Sequence, residues 1–190
     1  MKKGKKNKEA IVINLIGGPG CGKSIMAAKL FEKLKLKYIS CDISMEYIKR
    51  KLREKALKVI ESQIYIFGKQ QFQLFTMKDE VEVIITDSPI ILSAIYDKTN
   101  CPHLKALILK EFSVYKNLTY FIDRDEEVEY EQEGRYQDLK GAKEVDKKVK
   151  KFMNDHKIKY QIIKGIGNKS RDKIMGDILK ELGKNGNKKK

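Results

Sequence analysis

The sequence predicts an α/β fold in which a parallel sheet is covered by helices on both faces, and three observations carry that prediction. Five short apolar segments rich in β-branched residues alternate with stretches of helical periodicity, and parallel strands need helical crossovers between them. A glycine-rich octet stands between the first such segment and the first helical stretch. The chain of 190 residues has the length of one domain, with 41% hydrophobic residues to build its core. With 35% charged residues the chain is polar, yet far from the depleted composition of a disordered one.

The elements follow in order. Ala10 to Ile16 is an apolar run ending in glycines and reads as a buried central strand. Ala27, Leu30, Phe31 and Leu34 then fall at i, i+3, i+4 and i+7, one stripe of a helix whose other face carries Lys29, Glu32 and Lys33. Tyr38 to Asp42 is expected as the second strand, and Met45, Ile48, Leu52 and Ala56 mark the next helix. Ile60, Ile64, Phe67, Gln71 and Phe75 extend the helical pattern toward Lys78. Val81 to Thr86 is the third strand. A short helix through Ser93 to Tyr96 is expected to open at Pro89, since proline suits a first helical turn. Leu104 to Tyr115 is helical, Leu118 to Asp123 the fourth strand and Ile158 to Lys164 the fifth. The helix between them has the stripe Val145, Val149, Phe152 and Met153, and a last helix runs from Lys169 to Leu182.

The formal charge of +15 is unevenly placed: residues 1–9 contribute five Lys and one Glu, and residues 184–190 contribute four Lys. Both ends mix lysine with Gly and Asn, so 1–9 and 184–190 are expected as basic flexible tails around a domain at 10–183. Such tails aid solubility and offer weak contact to nucleic acid. No run of about 18 apolar residues exists, and the lysine-studded start lacks the apolar core of a signal peptide, so a cytoplasmic protein without membrane contact is expected. Cys21, Cys41 and Cys101 show no metal-ligand spacing and are expected as free thiols.

Gly17-Gly18-Pro19-Gly20-Cys21-Gly22-Lys23-Ser24 fits G-x-x-x-x-G-K-[ST] between a strand and a helix. Polyphosphate binding needs backbone N–H groups aimed inward, which a loop free of bulky side chains allows, and the helix N-terminus adds a positive dipole. The octet with Ile25 is therefore the expected ATP cradle, with Lys23 on the β- and γ-phosphates and the Ser24 hydroxyl on Mg²⁺. Asp87 ends an apolar strand and is the second expected Mg²⁺ residue. Motor ATPases place Glu after this Asp to activate water; here the neighbour is Ser88, which favours transfer to a bound hydroxyl over steady hydrolysis. Asn168-Lys169-Ser170-Arg171 does not complete the guanine signature Asn-Lys-x-Asp, so a GTPase is not expected. Cys21, near the helix N-terminus and Lys23, is expected to react faster than Cys41 on its strand.

The octet, Glu46-Tyr47-Ile48-Lys49, Tyr65-Ile-Phe-Gly-Lys-Gln70, the run ITDSPIILSAIY and Gly134-Arg135 together resemble a family of small phage-encoded AAA-type P-loop proteins. That family is similar to the nicotinamide riboside kinase domain and to deoxynucleoside and nucleoside monophosphate kinases. The resemblance spans about residues 10 to 182. It implies a three-layer P-loop kinase fold, a five-stranded parallel sheet in the order 2-3-1-4-5, and a lid at about 124–141 between strand four and the next helix. It also implies an acceptor site between the helices after strands two and three, and a host-cell cytoplasmic location if phage-encoded.

An acceptor hydroxyl needs a carboxylate to orient it and take its proton. Asp42 and Glu46 both qualify, and the resemblance favours Glu46. Tyr47 and Phe67 are candidates to stack on a base, and Gln70 to read a base or amide edge. Negative charge developing on the transferring group calls for an arginine from a closing segment. Arg135 is the first choice and Arg124 the second. Seven carboxylates between Asp123 and Glu133 give the lid an acidic character that would repel a DNA backbone and tolerate a cationic acceptor. The expected activity is therefore Mg-ATP-dependent transfer of a phosphoryl group to a nucleoside-like or nucleotide small molecule, by a monomer or homodimer. Two alternatives are a kinase of hydroxymethylated bases in phage DNA and an ATP-binding regulatory protein associated with nucleic acid.

Overall fold

A computed structural model of the chain describes residues 9–45, 57–124 and 139–184. Strands β1 (Ile11–Ile16), β2 (Cys41–Ser44), β3 (Val83–Thr86), β4 (Lys116–Asp123) and β5 (Gln161–Lys164) form one parallel sheet in the order β2-β3-β1-β4-β5. Every side chain of β1 is buried, as a strand flanked on both edges and covered on both faces must be.

Successive side chains of a strand point to opposite faces, so the sheet builds two cores. On one face, Ile11, Ile13, Leu15, Ile85 and Tyr120 pack against α1 (Lys23–Leu36) and α7 (Asn168–Glu181), through Met26, Leu30, Ile174 and Ile178. On the other, Val12, Ile16, Ile84 and Phe121 meet four helices. These are α3 (Gln63–Met77), α4 (Leu92–Tyr96), α5 (Pro102–Ser113) and α6 (Leu139–Asp155). A five-residue α2 (Leu57–Glu61) precedes α3. Each fully buried Ile or Leu in these layers contributes about 1.5–3 kcal/mol. Among the described residues no helix is long and apolar enough to cross a membrane.

The sheet order and layering agree with the expectation, and the differences are local. The second strand begins at Cys41 rather than Tyr38, because Tyr38 is 96% exposed in a left-handed turn at φ 55° that closes α1. The third begins at Val83 and the fifth at Gln161, each shorter than its apolar run, because pairing with the neighbouring strand stops there. Ser62, at ψ 86°, interrupts the long helical pattern and separates α2 from α3. The inward arc of α3 is then Gln63, Ile66, Phe67, Gln70 and Leu74, whereas Ile64 and Phe75 face outward. Two glutamines turn inward in place of two apolar residues, and for Gln70 a polar partner awaits: its amide donates to the Ser88 hydroxyl at 2.6 Å. Pro89 lies in the turn before α4, where its carbonyl accepts from the Leu92 N–H. Phe152 is half-buried beside the inward stripe Ala142, Val145, Val149 and Met153 of α6. Of the expected tails only Glu9 and Lys184 are described, and the Lys184 ammonium pairs with Glu82 at 2.7 Å; the rest of both tails, the helix marked by Ile48, Leu52 and Ala56, and most of the lid lie outside the described residues.

Candidate functional site

The C-terminal ends of β1, β3 and β4 meet at one rim, and the glycine-rich octet turns there from β1 into α1. The turn needs glycine for two separate reasons. Gly20 and Gly22 take φ of 80° and 87°, in the left-handed region that side chains rarely adopt. Gly18 lies where a Cβ would stand 2.4 Å from the Ala142 carbonyl oxygen on α6. Gly22 also faces the loop after β5, with the Ile166 Cγ2 2.5 Å from where its Cβ would be. The loop is thus wedged between α6 and the β5–α7 connection, and its cradle shape is imposed from both sides.

Lys23 opens α1, and its ammonium folds back over the loop, donating to the carbonyls of Gly17 at 2.8 Å and Gly18 at 2.9 Å. That places a cation at the mouth of the turn, close to the N–H groups of the first helical turn, which have no partner within their own helix. Ser24, next along, donates its hydroxyl to Asp87 Oδ2 at 2.6 Å. Asp87 follows β3 directly and is buried. Pro19 and Ile25 flank the cradle, Pro19 half-buried and Ile25 52% exposed on the first turn of α1. Cys21 is buried against the loop, with its sulfur 3.8 Å from the Lys23 nitrogen. Cys41 is buried as well, and Cys101 is half-exposed.

The Ser24 hydroxyl and the Asp87 carboxylate are hard oxygen donors, the kind Mg²⁺ takes from a protein while phosphates and waters supply its other ligands. No cluster of three or more His, Cys, Asp or Glu side chains fit to hold a metal occurs among the described residues. The donor pair at the cradle therefore fits a cation shared with a bound polyphosphate.

Beyond Asp87 the chain builds a polar seam. Ser44, Thr86, Asn14 and Thr119 stand in register across four strands on the face covered by α3 to α6, and all four are buried. Ser44 donates to Gln73 at 2.8 Å, the Ser88 N–H donates to Thr86 at 3.1 Å, and Asn14 donates to Asn117 at 2.8 Å. Gln70 joins through Ser88, so the residue after Asp87 is tied to α3. Phe67 is buried in the apolar cluster under the same helix. Asp42 is exposed on the edge strand β2, its carboxylate accepting from the Ile43 N–H at 2.7 Å. Glu46, Tyr47 and Arg135 lie outside the described residues.

Arg124 stands directly after β4, and its guanidinium rests on the loop: Nη2 lies 2.7 Å from the place of a Gly18 Cβ. Its Nε donates to Asp146 of α6 at 2.7 Å, and the other oxygen of that carboxylate accepts the Gly18 N–H at 2.5 Å. Sequence reasoning missed Asp146. A signal was present: it is a carboxylate on the arc of Ala142, Val145 and Val149, on a helix whose other polar positions are mostly lysine.

The family described as AAA domain matches the chain over residues 12–169. No curated protein matches the chain in sequence. Among solved structures, a point mutant of the APS kinase CysC of Mycobacterium tuberculosis shares 15% of residues, spans 90% of this chain and 98% of its own, and superposes with a TM-score of 0.47.

Proposed function

Because the chain belongs to the AAA domain family, a P-loop NTPase family that it matches over residues 12–169, we propose that it is a Mg-ATP-dependent kinase acting on a hydroxyl of a nucleoside-like or nucleotide small molecule. The observation that carries this reading is the polar junction at Asp87. The carboxylate that meets Ser24 is followed by Ser88, whose hydroxyl is held by Gln70 of α3. That position offers no carboxylate to activate water, and its wall is a helix of the side where such kinases bind an acceptor.

In this reading the loop N–H groups and the α1 N-terminus hold the phosphates. Lys23 neutralises charge on the transferring group, and Arg124, resting on the loop, does the same from the β4 side. Ser24 and Asp87 would hold Mg²⁺, whose charge offsets that of the β- and γ-oxygens. Glu46 or Asp42 takes the proton of the acceptor hydroxyl, with Tyr47 and Gln70 on the acceptor side; Phe67, expected to stack on a base, instead packs in the apolar core under α3. A cytoplasmic location follows from the substrates. The second reading, an acceptor within DNA, draws on the lysines of the two chain ends, five in residues 1–9 and four in residues 184–190.

Labelled ATP assayed with nucleosides, nucleotides, nicotinamide riboside and hydroxymethylated DNA tests the proposal. Acceptor-dependent label transfer that Lys23→Ala abolishes is the expected result. Transfer confined to DNA moves the acceptor into the polymer, and Mg-ATP binding with no transfer to any acceptor overturns the kinase assignment. Comparing Glu46→Gln with Asp42→Asn then identifies the base.

A further inference from the structure

Asp146 joins three elements that are far apart in sequence. Its Oδ1 accepts the Gly18 N–H of the phosphate loop at 2.5 Å, its Oδ2 accepts Nε of Arg124 at 2.7 Å, and its own backbone belongs to α6. The side chains of Arg124 and Asp146 are only 12% and 15% exposed, so the pair is largely shielded from solvent screening. The contact is also enclosed on the far side, since the Ala142 carbonyl oxygen and Arg124 Nη2 both crowd Gly18. A long arginine side chain has much rotamer freedom to lose, and a carboxylate that also grips the loop restrains it over that loop.

We propose that Asp146 is a positioning residue for nucleotide binding: through its carboxylate it holds the Arg124 guanidinium against the phosphate loop, where the polyphosphate arrives. The inference rests on the reading that this loop takes a nucleoside triphosphate. Asp146 grips the loop at Gly18, two residues past the end of β1, while the N–H groups of the α1 first turn stand at the opposite end of the octet. The carboxylate therefore braces the shoulder of the cradle and leaves the phosphate positions open. A carboxylate that instead occupied the place of a phosphate would have to be displaced, and removing its charge would tighten nucleotide binding.

The two alternatives differ in sign, which makes the test direct. Dissociation constants for Mg-ATP are measured on the full chain for wild type, Asp146→Asn, Arg124→Ala and the double variant. Lys23→Ala serves as the control and melting curves are recorded for all. Asp146→Asn keeps the volume and an oxygen for the Gly18 N–H but loses the charge that orients Arg124, so binding is expected to weaken about tenfold. Arg124→Ala is expected to weaken it as much, and the double variant no further than either single one. The KM for ATP should rise in Asp146→Asn with kcat changed less. If Asp146→Asn melts far below wild type, Asp146→Glu replaces it: the charge is kept but the guanidinium is displaced, and the same non-additive weakening is expected. Additive losses, or tighter binding by Asp146→Asn, overturn the proposal. Loss of binding in Lys23→Ala alongside additive losses leaves the nucleotide site standing without the Asp146 role, whereas unchanged binding in Lys23→Ala counts against the nucleotide site itself.

Discussion

The Ser24 hydroxyl donates a 2.6 Å hydrogen bond to the Asp87 carboxylate, linking the first turn of α1 to the end of β3 across 63 residues of sequence. A hydroxyl that donates in this way keeps its oxygen beside the carboxylate, with its lone pairs still available to accept. The pair is thus preorganised as two oxygen donors on one side of the cradle.

Mg²⁺ dependence checks this arrangement. Asp87→Asn should lose at least about tenfold of the gain in ATP affinity that Mg²⁺ provides, and Ser24→Ala should lose less, since a charged ligand outweighs a neutral one. ATP binding measured in chelator should change little in either variant. Calorimetric titrations with and without Mg²⁺ separate these outcomes.

Gly18 and Gly68 should respond in opposite directions to alanine. A Cβ on Gly18 meets a backbone carbonyl that cannot swing away, so Gly18→Ala should cost about 1–3 kcal/mol and lower the melting temperature by several degrees. Gly68 sits within α3 with nothing within 4 Å of its would-be Cβ, and Gly68→Ala should stabilise by about 0.5–1 kcal/mol. Thermal melts of the two variants decide it.

The three thiols should alkylate in a fixed order. Cys101 is half-exposed and reacts first. Cys41 is 2% exposed, and burial pushes its thiol above the ordinary cysteine range, so the reactive thiolate is doubly suppressed and Cys41 reacts last. Cys21, 6% exposed, should label only as the loop opens, and Mg-ATP should slow it further. Peptide mapping after limiting alkylation reads the order, and equal Cys21 labelling with and without Mg-ATP would contradict nucleotide enclosure by the loop.

Asp97 links pH to stability. Its carboxylate accepts from the Thr99 hydroxyl at 2.7 Å, the Thr99 N–H at 3.0 Å and the Cys101 N–H at 3.0 Å, which together hold its pKa below the usual aspartate value. A carboxyl whose pKa is depressed by folding stabilises above its unfolded pKa and loses that contribution as the pH falls through the folded one. Asp97→Ala should therefore melt below wild type at neutral pH, with the gap closing in acid below the usual aspartate range.

Much of this was legible in the sequence because the signals were local. The octet, the β-branched runs and the Asp at the end of ITD are contiguous patterns whose chemistry depends on spacing alone. The misplacements share another cause. Tyr38 is expected at the start of the second strand, yet it takes the left-handed position of the turn that closes α1. The inward face of α3 was assigned from hydrophobicity, yet Gln63 and Gln70 turn inward and Ile64 and Phe75 outward. Asp146 shows in the sequence only as a carboxylate on an apolar arc, and its role stays hidden because its partners, Gly18 and Arg124, are 128 and 22 residues away.

The placement of β1 at the middle of the sheet has a consequence for a chain emerging from a ribosome. Ile11 pairs with Val83 on one side and Lys116 on the other, so the strand leaves the exit tunnel long before either neighbour has been synthesised. The phosphate loop waits longer still. Gly18 is braced by Ala142 and Asp146, and Gly22 by Ile166, all in the last third of the chain. A nascent chain halted after β4 carries the whole octet in covalent form but lacks the walls that shape it. Its capacity to capture nucleotide should switch on abruptly with the release of α6 and the β5–α7 connection, a threshold that stalled chains of graded length would reveal.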